Sequence, residues 1–128
     1  MQYSLAGKSI ERICIDYAVS LQFDDGAALR LESEFSLTAS SETASAMIDP
    51  AQLGGNGDRI LGLIRREVHE ASITGSGDLA LIFDHGGHLS SKPDQAYEAW
   101  SLVLPNGDTF ICLPGGGIAR YPGRSATS

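Results

Sequence analysis

Positive charge is scarce in this chain. Nine Lys and Arg face sixteen Asp and Glu in 128 residues, giving a formal net charge of −7 and an isoelectric point near 4.7. Binding to nucleic acid depends on cations that displace counterions from phosphate, and adsorption to an anionic bilayer needs the same groups, so neither partner is expected. Cysteine is almost absent. Cys14 in ICI and Cys112 in ICL are the only two, too few for a disulfide framework and not spaced as C-x-x-C. They read as reduced thiols packed inside strands, and a bridge between them is left open. Long apolar runs are missing too: nothing approaches the 18 or so residues of a membrane span. The opening MQYSLAGKSIERICIDY has no basic start followed by an unbroken apolar stretch, so the expected location is the cytoplasm.

Catalytic signatures are equally scarce. There is no G-x-S-x-G elbow. The glycine-rich LGGNGD lacks the lysine and Ser/Thr of a phosphate loop, and PGGG leads into a strand rather than a helix. Both are turns.

What the chain does have is a repeat. LQFDDGAAL at residues 21–29 returns sixty positions later as LIFDHGGHL at 81–89. Leu21, Phe23, Asp24, Gly26 and Leu29 recur in register as Leu81, Phe83, Asp84, Gly86 and Leu89. Each copy is an apolar alternation, an acidic residue, a glycine turn and a resumed alternation, the pattern of a β-hairpin.

Around the repeat the chain reads as two related antiparallel meanders. The first, about residues 5–38, runs from Ile13 to Phe23, turns at Asp24-Asp25-Gly26, and returns through Leu29, Leu31, Phe35 and Leu37, the longest clean alternation present. TASSETASA (38–46) is a polar loop. From Asp58 to about Arg66 the period changes to helical, with Ile60, Leu61, Leu63 and Ile64 as the stripe, Asp58 as N-cap, and Arg65 and Arg66 at the C-terminal end. The second meander, about 67–121, adds a hairpin at Pro105-Asn106-Gly107-Asp108 and an edge strand from Ile118 to Tyr121. The expected fold is therefore mainly β. One domain spans 1–121, with about seven to nine strands in a sandwich or partly open barrel, a linker plus helix at 39–66, and a flexible tail at 122–128.

Two groups of residues invite a functional reading. Asp84, His85 and His88 lie within five residues, and His69, Asp94 or Glu98 could complete a metal site with them. However, the first copy carries Asp25 and Ala28 where the second has His85 and His88, so turn geometry alone explains the shared residues. The second group is Tyr97-Glu98-Ala99-Trp100, which holds the only tryptophan. Trp100 reads either as a core anchor with Leu102 and Leu104 or, with Tyr97 and Glu98, as an aromatic patch for a partner.

Phe23-Asp24-Asp25-Gly26, Tyr97-Glu98-Ala99-Trp100 and Pro114-Gly115-Gly116 together resemble a family of small uncharacterised actinobacterial β-rich proteins, over roughly Leu5 to Tyr121. That family has no assigned activity, so the resemblance implies a bacterial cytoplasmic protein and transfers no catalytic residue. The expected function is a non-enzymatic binding module, for example an immunity-like protein whose acidic surface masks a basic protein partner. No cofactor is expected. The alternatives are a small-ligand or metal-dependent enzyme built on Asp84, His85 and His88, and self-association into a homodimer through strand edges.

Overall fold

The computed structural model describes residues 3–39 and 45–123. Among the described residues eleven strands and one short helix follow in order: β1 (Ile10–Ile15), β2 (Val19–Phe23), β3 (Ala28–Leu31), β4 (Phe35–Thr38), β5 (Ala46–Ile48), α1 (Gly57–Leu61), β6 (Val68–Ile73), β7 (Leu79–Phe83), β8 (His88–Ser91), β9 (Trp100–Val103), β10 (Thr109–Cys112) and β11 (Ile118–Tyr121). They form two antiparallel sheets, β1-β2-β3-β9-β10-β11 and β5-β4-β8-β7-β6, not closed into a barrel. Alternate residues of the two sheets meet in one apolar core. Leu21, Phe23, Leu29, Leu31, Trp100 and Leu102 come from the first sheet, and Phe35, Leu37, Ile48, Leu81, Phe83 and Leu89 from the second.

The hairpins β1-β2-β3 and β6-β7-β8 have matching registers, including a bulge at Ile10/Arg12 in one and at Val68/Glu70 in the other. They meet at an antiparallel bridge between Ser9 and Glu67. Around that bridge the hydrogen bonds come in matched pairs. The Ile10 N–H donates to the Arg66 carbonyl and the Val68 N–H to that of Lys8; the Gly7 N–H donates to the Val68 carbonyl and the Arg65 N–H to that of Ile10.

The long alternation after Gly26 is not one strand. Glu32-Ser33-Glu34 carries the chain across from β3 in the first sheet to β4 in the second, and Lys92–Ala99 does the reverse from β8 to β9. Each hairpin therefore receives its next strand from the other half. The registers agree here too: Leu29 pairs with Leu102 as Leu89 pairs with Leu37. This aligns Phe35-Ser36-Leu37 with Trp100-Ser101-Leu102 at a spacing of sixty-five, a match that the sixty-residue spacing of the nonapeptide conceals. The two meanders are thus interleaved rather than stacked as separate sheets.

Five connections share one turn. At Phe23–Ala27, Thr74–Asp78, Phe83–Gly87, Leu104–Asp108 and Leu113–Gly117, the first residue's N–H donates to the fifth residue's carbonyl at 2.8–2.9 Å, and the fourth residue's N–H to the first residue's carbonyl at 2.9–3.0 Å. The fourth residue is always glycine, with φ between +88° and +117°. That is the three-residue hairpin loop whose last residue takes a bulge conformation closed to most side chains.

Several sequence expectations change. The helix is only Gly57–Leu61, begins at Asn56 with no side-chain cap, and has Asp58 in its first turn rather than as its cap. Of the predicted stripe Ile60 and Leu63 are buried, while Leu61 and Ile64 are exposed. Ala46 belongs to β5 rather than to the polar loop, whose residues 40–44 lie outside the described residues. The tail's start is tied down: the Gly123 N–H donates to Asp108 Oδ1 at 2.7 Å, and residues 124–128 lie outside the described range. Cys14 and Cys112 are free. Three strands separate β1 from β10, roughly 19 Å at the usual inter-strand spacing, far beyond the reach of a disulfide. No described helix is long and apolar enough to cross a membrane.

Candidate functional site

The second crossover is five residues longer than the first, and those extra residues build a surface hollow. Lys92–Ala99 replaces the three-residue Glu32-Ser33-Glu34. Asp94 holds the loop's shape: one of its carboxylate oxygens accepts the Ala96 and Tyr97 N–H groups at 2.8 and 3.0 Å. Its carbonyl accepts the Gly115 N–H at 2.7 Å, and the Glu32 N–H donates to the Ala99 carbonyl at 2.9 Å. Glu32, Ala96, Tyr97, Glu98 and Pro114 then line a hollow of about 410 Å³. Tyr97 is 71% exposed and Glu98 is exposed. Arg30 Nε lies 3.7 Å from Glu32 Oε1 and its other end 3.5 Å from Asp16, so one cation is shared between two acids while Glu98 faces solvent. An aromatic ring beside two carboxylates suits a cationic side chain.

Trp100 is not part of this surface. It is 0% exposed, and its indole N–H donates to the Gly77 carbonyl at 2.9 Å. Of the three residues in the expected patch, the structure places Tyr97 and Glu98 together on the hollow and Trp100 in the core. Glu32 and Pro114, distant in sequence, complete the hollow; the pairing of β3 with β9 and of β9 with β10 brings them there.

Asp84, His85 and His88 are adjacent in sequence without converging. His88 begins β8 opposite Thr38 and Ile82 and is exposed, whereas His85 sits in the turn with its ring against Phe83, centroids 6.1 Å apart. His85 Nδ1 is buried without a hydrogen-bond partner and lies 3.9 Å from Asp84 Oδ1. Burial first, then the Arg66 guanidinium, push the imidazole pKa below its ordinary value, against the pull of Asp84. Among the described residues no three His, Cys, Asp or Glu side chains come together to hold a metal.

Comparison with the first copy shows what His85 does. The matching Asp25 accepts the Tyr3 O–H and, at 3.0 Å, the Ala27 N–H. Where His85 replaces Asp25, Gly87 replaces Ala27, because a Cβ there would sit 2.7 Å from His85 Cε1. The two differences are one packing change.

Asp25 also gives the fold a pH dependence. Burial alone would raise its carboxyl pKa, but the Tyr3 hydroxyl, the Ala27 N–H and Lys8, 3.9 Å away, together hold it below the ordinary value. The contribution is therefore present at neutral pH and lost as pH falls through the lowered folded value. Asp25→Asn should cost about 2 kcal/mol at pH 7, with the gap to wild type closing below about pH 4; urea unfolding as a function of pH measures both.

No curated protein and no solved structure matches the chain significantly. Over residues 1–121 it matches the family of unknown function DUF6188, and it belongs to that family.

Proposed function

We propose that this protein is a non-enzymatic interaction module of the bacterial cytoplasm. Its Tyr97 hollow receives a basic segment of a protein partner, and an immunity-like role towards a basic toxin is the specific form of this reading. The observation that carries it is the hollow itself: an extra segment of the second half, anchored by Asp94, displays Tyr97 to solvent beside Glu98 and Glu32. Tyrosine supplies large contact area at little conformational cost, and carboxylates set the sign of the partner. The chain's net charge of −7 would steer such a partner from a distance.

A photo-crosslinking residue at Tyr97, introduced in the native host, should capture a protein of basic composition, while the same residue at the exposed Tyr121 should not. Binding of the captured protein should weaken about tenfold with Tyr97→Ala and fall further as salt is raised. Equal capture from both positions, or none from Tyr97, would refute the proposal.

A further inference from the structure

At the other end of the first sheet, beside the Ser9–Glu67 bridge, one residue holds a backbone conformation that its counterpart gives to glycine. Arg65 has φ +66°, and among the described residues it is the only non-glycine residue at positive φ. Its equivalent across the bridge is Gly7, at φ +84°. Both N–H groups make the same bond, from Gly7 to Val68 and from Arg65 to Ile10. The fold thus has glycine available for this position and uses arginine instead, at the cost of a conformation that L side chains seldom take.

Arg65 lines a hollow of about 380 Å³ together with Ser9, Ile10, Glu11 and Asp24, the lower end of the size range for small-ligand pockets. The opposite half carries different chemistry at the matching places, with Glu67 for Ser9 and His69 for Glu11. Asp24 Oδ1 accepts the Ser9 N–H at 3.3 Å, which leaves its second oxygen for a ligand. The charged groups are one guanidinium and two carboxylates.

We infer that this hollow is a binding site for a diamino monocarboxylic acid such as lysine or ornithine. The ligand's carboxylate pairs with Arg65, and its two ammonium groups with Asp24 and Glu11. Such a molecule carries one negative and two positive charges, the complement of the site, and a guanidinium is the side chain best shaped to grip a carboxylate.

The test is a titration of the full chain with L-lysine, followed by the amide resonances of Ser9, Glu11, Asp24 and Arg65. These should shift and saturate. Norleucine, which lacks the side-chain ammonium, and Nα-acetyl-lysine, which lacks the α-ammonium, should each bind about tenfold more weakly. Arg65→Gly should bind lysine at least about tenfold more weakly, with a melting temperature no lower than wild type because the strained position is relieved. Tyr121→Ala, exposed on the edge strand β11, should bind lysine as wild type does. No shifts at about 20 mM lysine, far above any useful affinity, or undiminished binding by Arg65→Gly, would overturn the assignment.

Discussion

Replacing Trp100 with alanine is expected to cost about 4 kcal/mol, the largest effect of any single change in the segment from Tyr97 to Trp100. The side chain is fully buried between the sheets, so its removal leaves a cavity that a close-packed interior closes only in part. It also takes a partner from the Gly77 carbonyl, which accepts both the indole N–H at 2.9 Å and the Cys112 thiol at 3.4 Å. Trp100→Phe keeps most of the apolar volume and loses the hydrogen bond, so it should cost about 1–2 kcal/mol. Tyr97→Ala, three residues away and exposed, should change stability by less than about 0.5 kcal/mol. Urea unfolding followed by circular dichroism distinguishes the three, since the only tryptophan is itself the mutated residue. The contrast divides the segment into an interior anchor and an exterior contact.

Sequence patterning reached most of the strands and their faces, but neither β5 nor the interleaving of the halves. Alternation at Val19, Leu21 and Phe23 reports which side of a strand is dry, and turn glycines report where it reverses; both are local. Whether Phe35 continues the sheet of Leu31 or crosses to the facing one is decided by Glu32-Ser33-Glu34. These three polar residues keep the apolar parity on either side, so the alternation reads straight through the crossing. The helical period outruns the helix for a related reason. Leu61 and Ile64 complete a helical stripe, yet α1 stops at Leu61, and the chain must reach φ +66° at Arg65 to enter the bridge. A tertiary requirement overrides the local period there.

The candidate sites were legible in proportion to how local they are. Tyr97 and Glu98 stand out by composition, and their exposure follows from lying in a segment too polar to pack. Glu32 and Pro114 come to them only through the pairing of β3 with β9 and β9 with β10, which no spacing in the sequence reveals. Trp100 carried two readings because an aromatic at the start of a strand serves a core or a surface equally well. Its counterpart Phe35 is buried at the same register in the other sheet, an equivalence that only the pairing of the strands supplies. Arg65 was visible only as a helix-end cation; recognising it needed the alignment with Gly7, across a spacing of fifty-eight rather than sixty.

The second large effect is expected at Gly77, where alanine should cost about 3 kcal/mol. Two contributions add. The residue has φ +104°, which any L side chain resists by about 1–2 kcal/mol. A Cβ there would also lie 2.8 Å from Cys112 Sγ, 3.2 Å from Pro93 Cγ and 3.4 Å from the Gly117 carbonyl, so the core must shift, at about 1–3 kcal/mol. Gly26 separates them. It occupies the same place in the equivalent turn at φ +96° with nothing within 4 Å of its Cβ position, so Gly26→Ala should show the conformational part alone, about 1 kcal/mol. Adding Cys112→Ala to Gly77→Ala removes the nearest clashing atom. The double variant should then be more stable than the sum of the single losses implies, by about 1 kcal/mol in a double-mutant cycle. Strict additivity would mean that Gly77 is required for its dihedral angle only, and that Cys112 does not press against the turn whose carbonyl also holds Trp100.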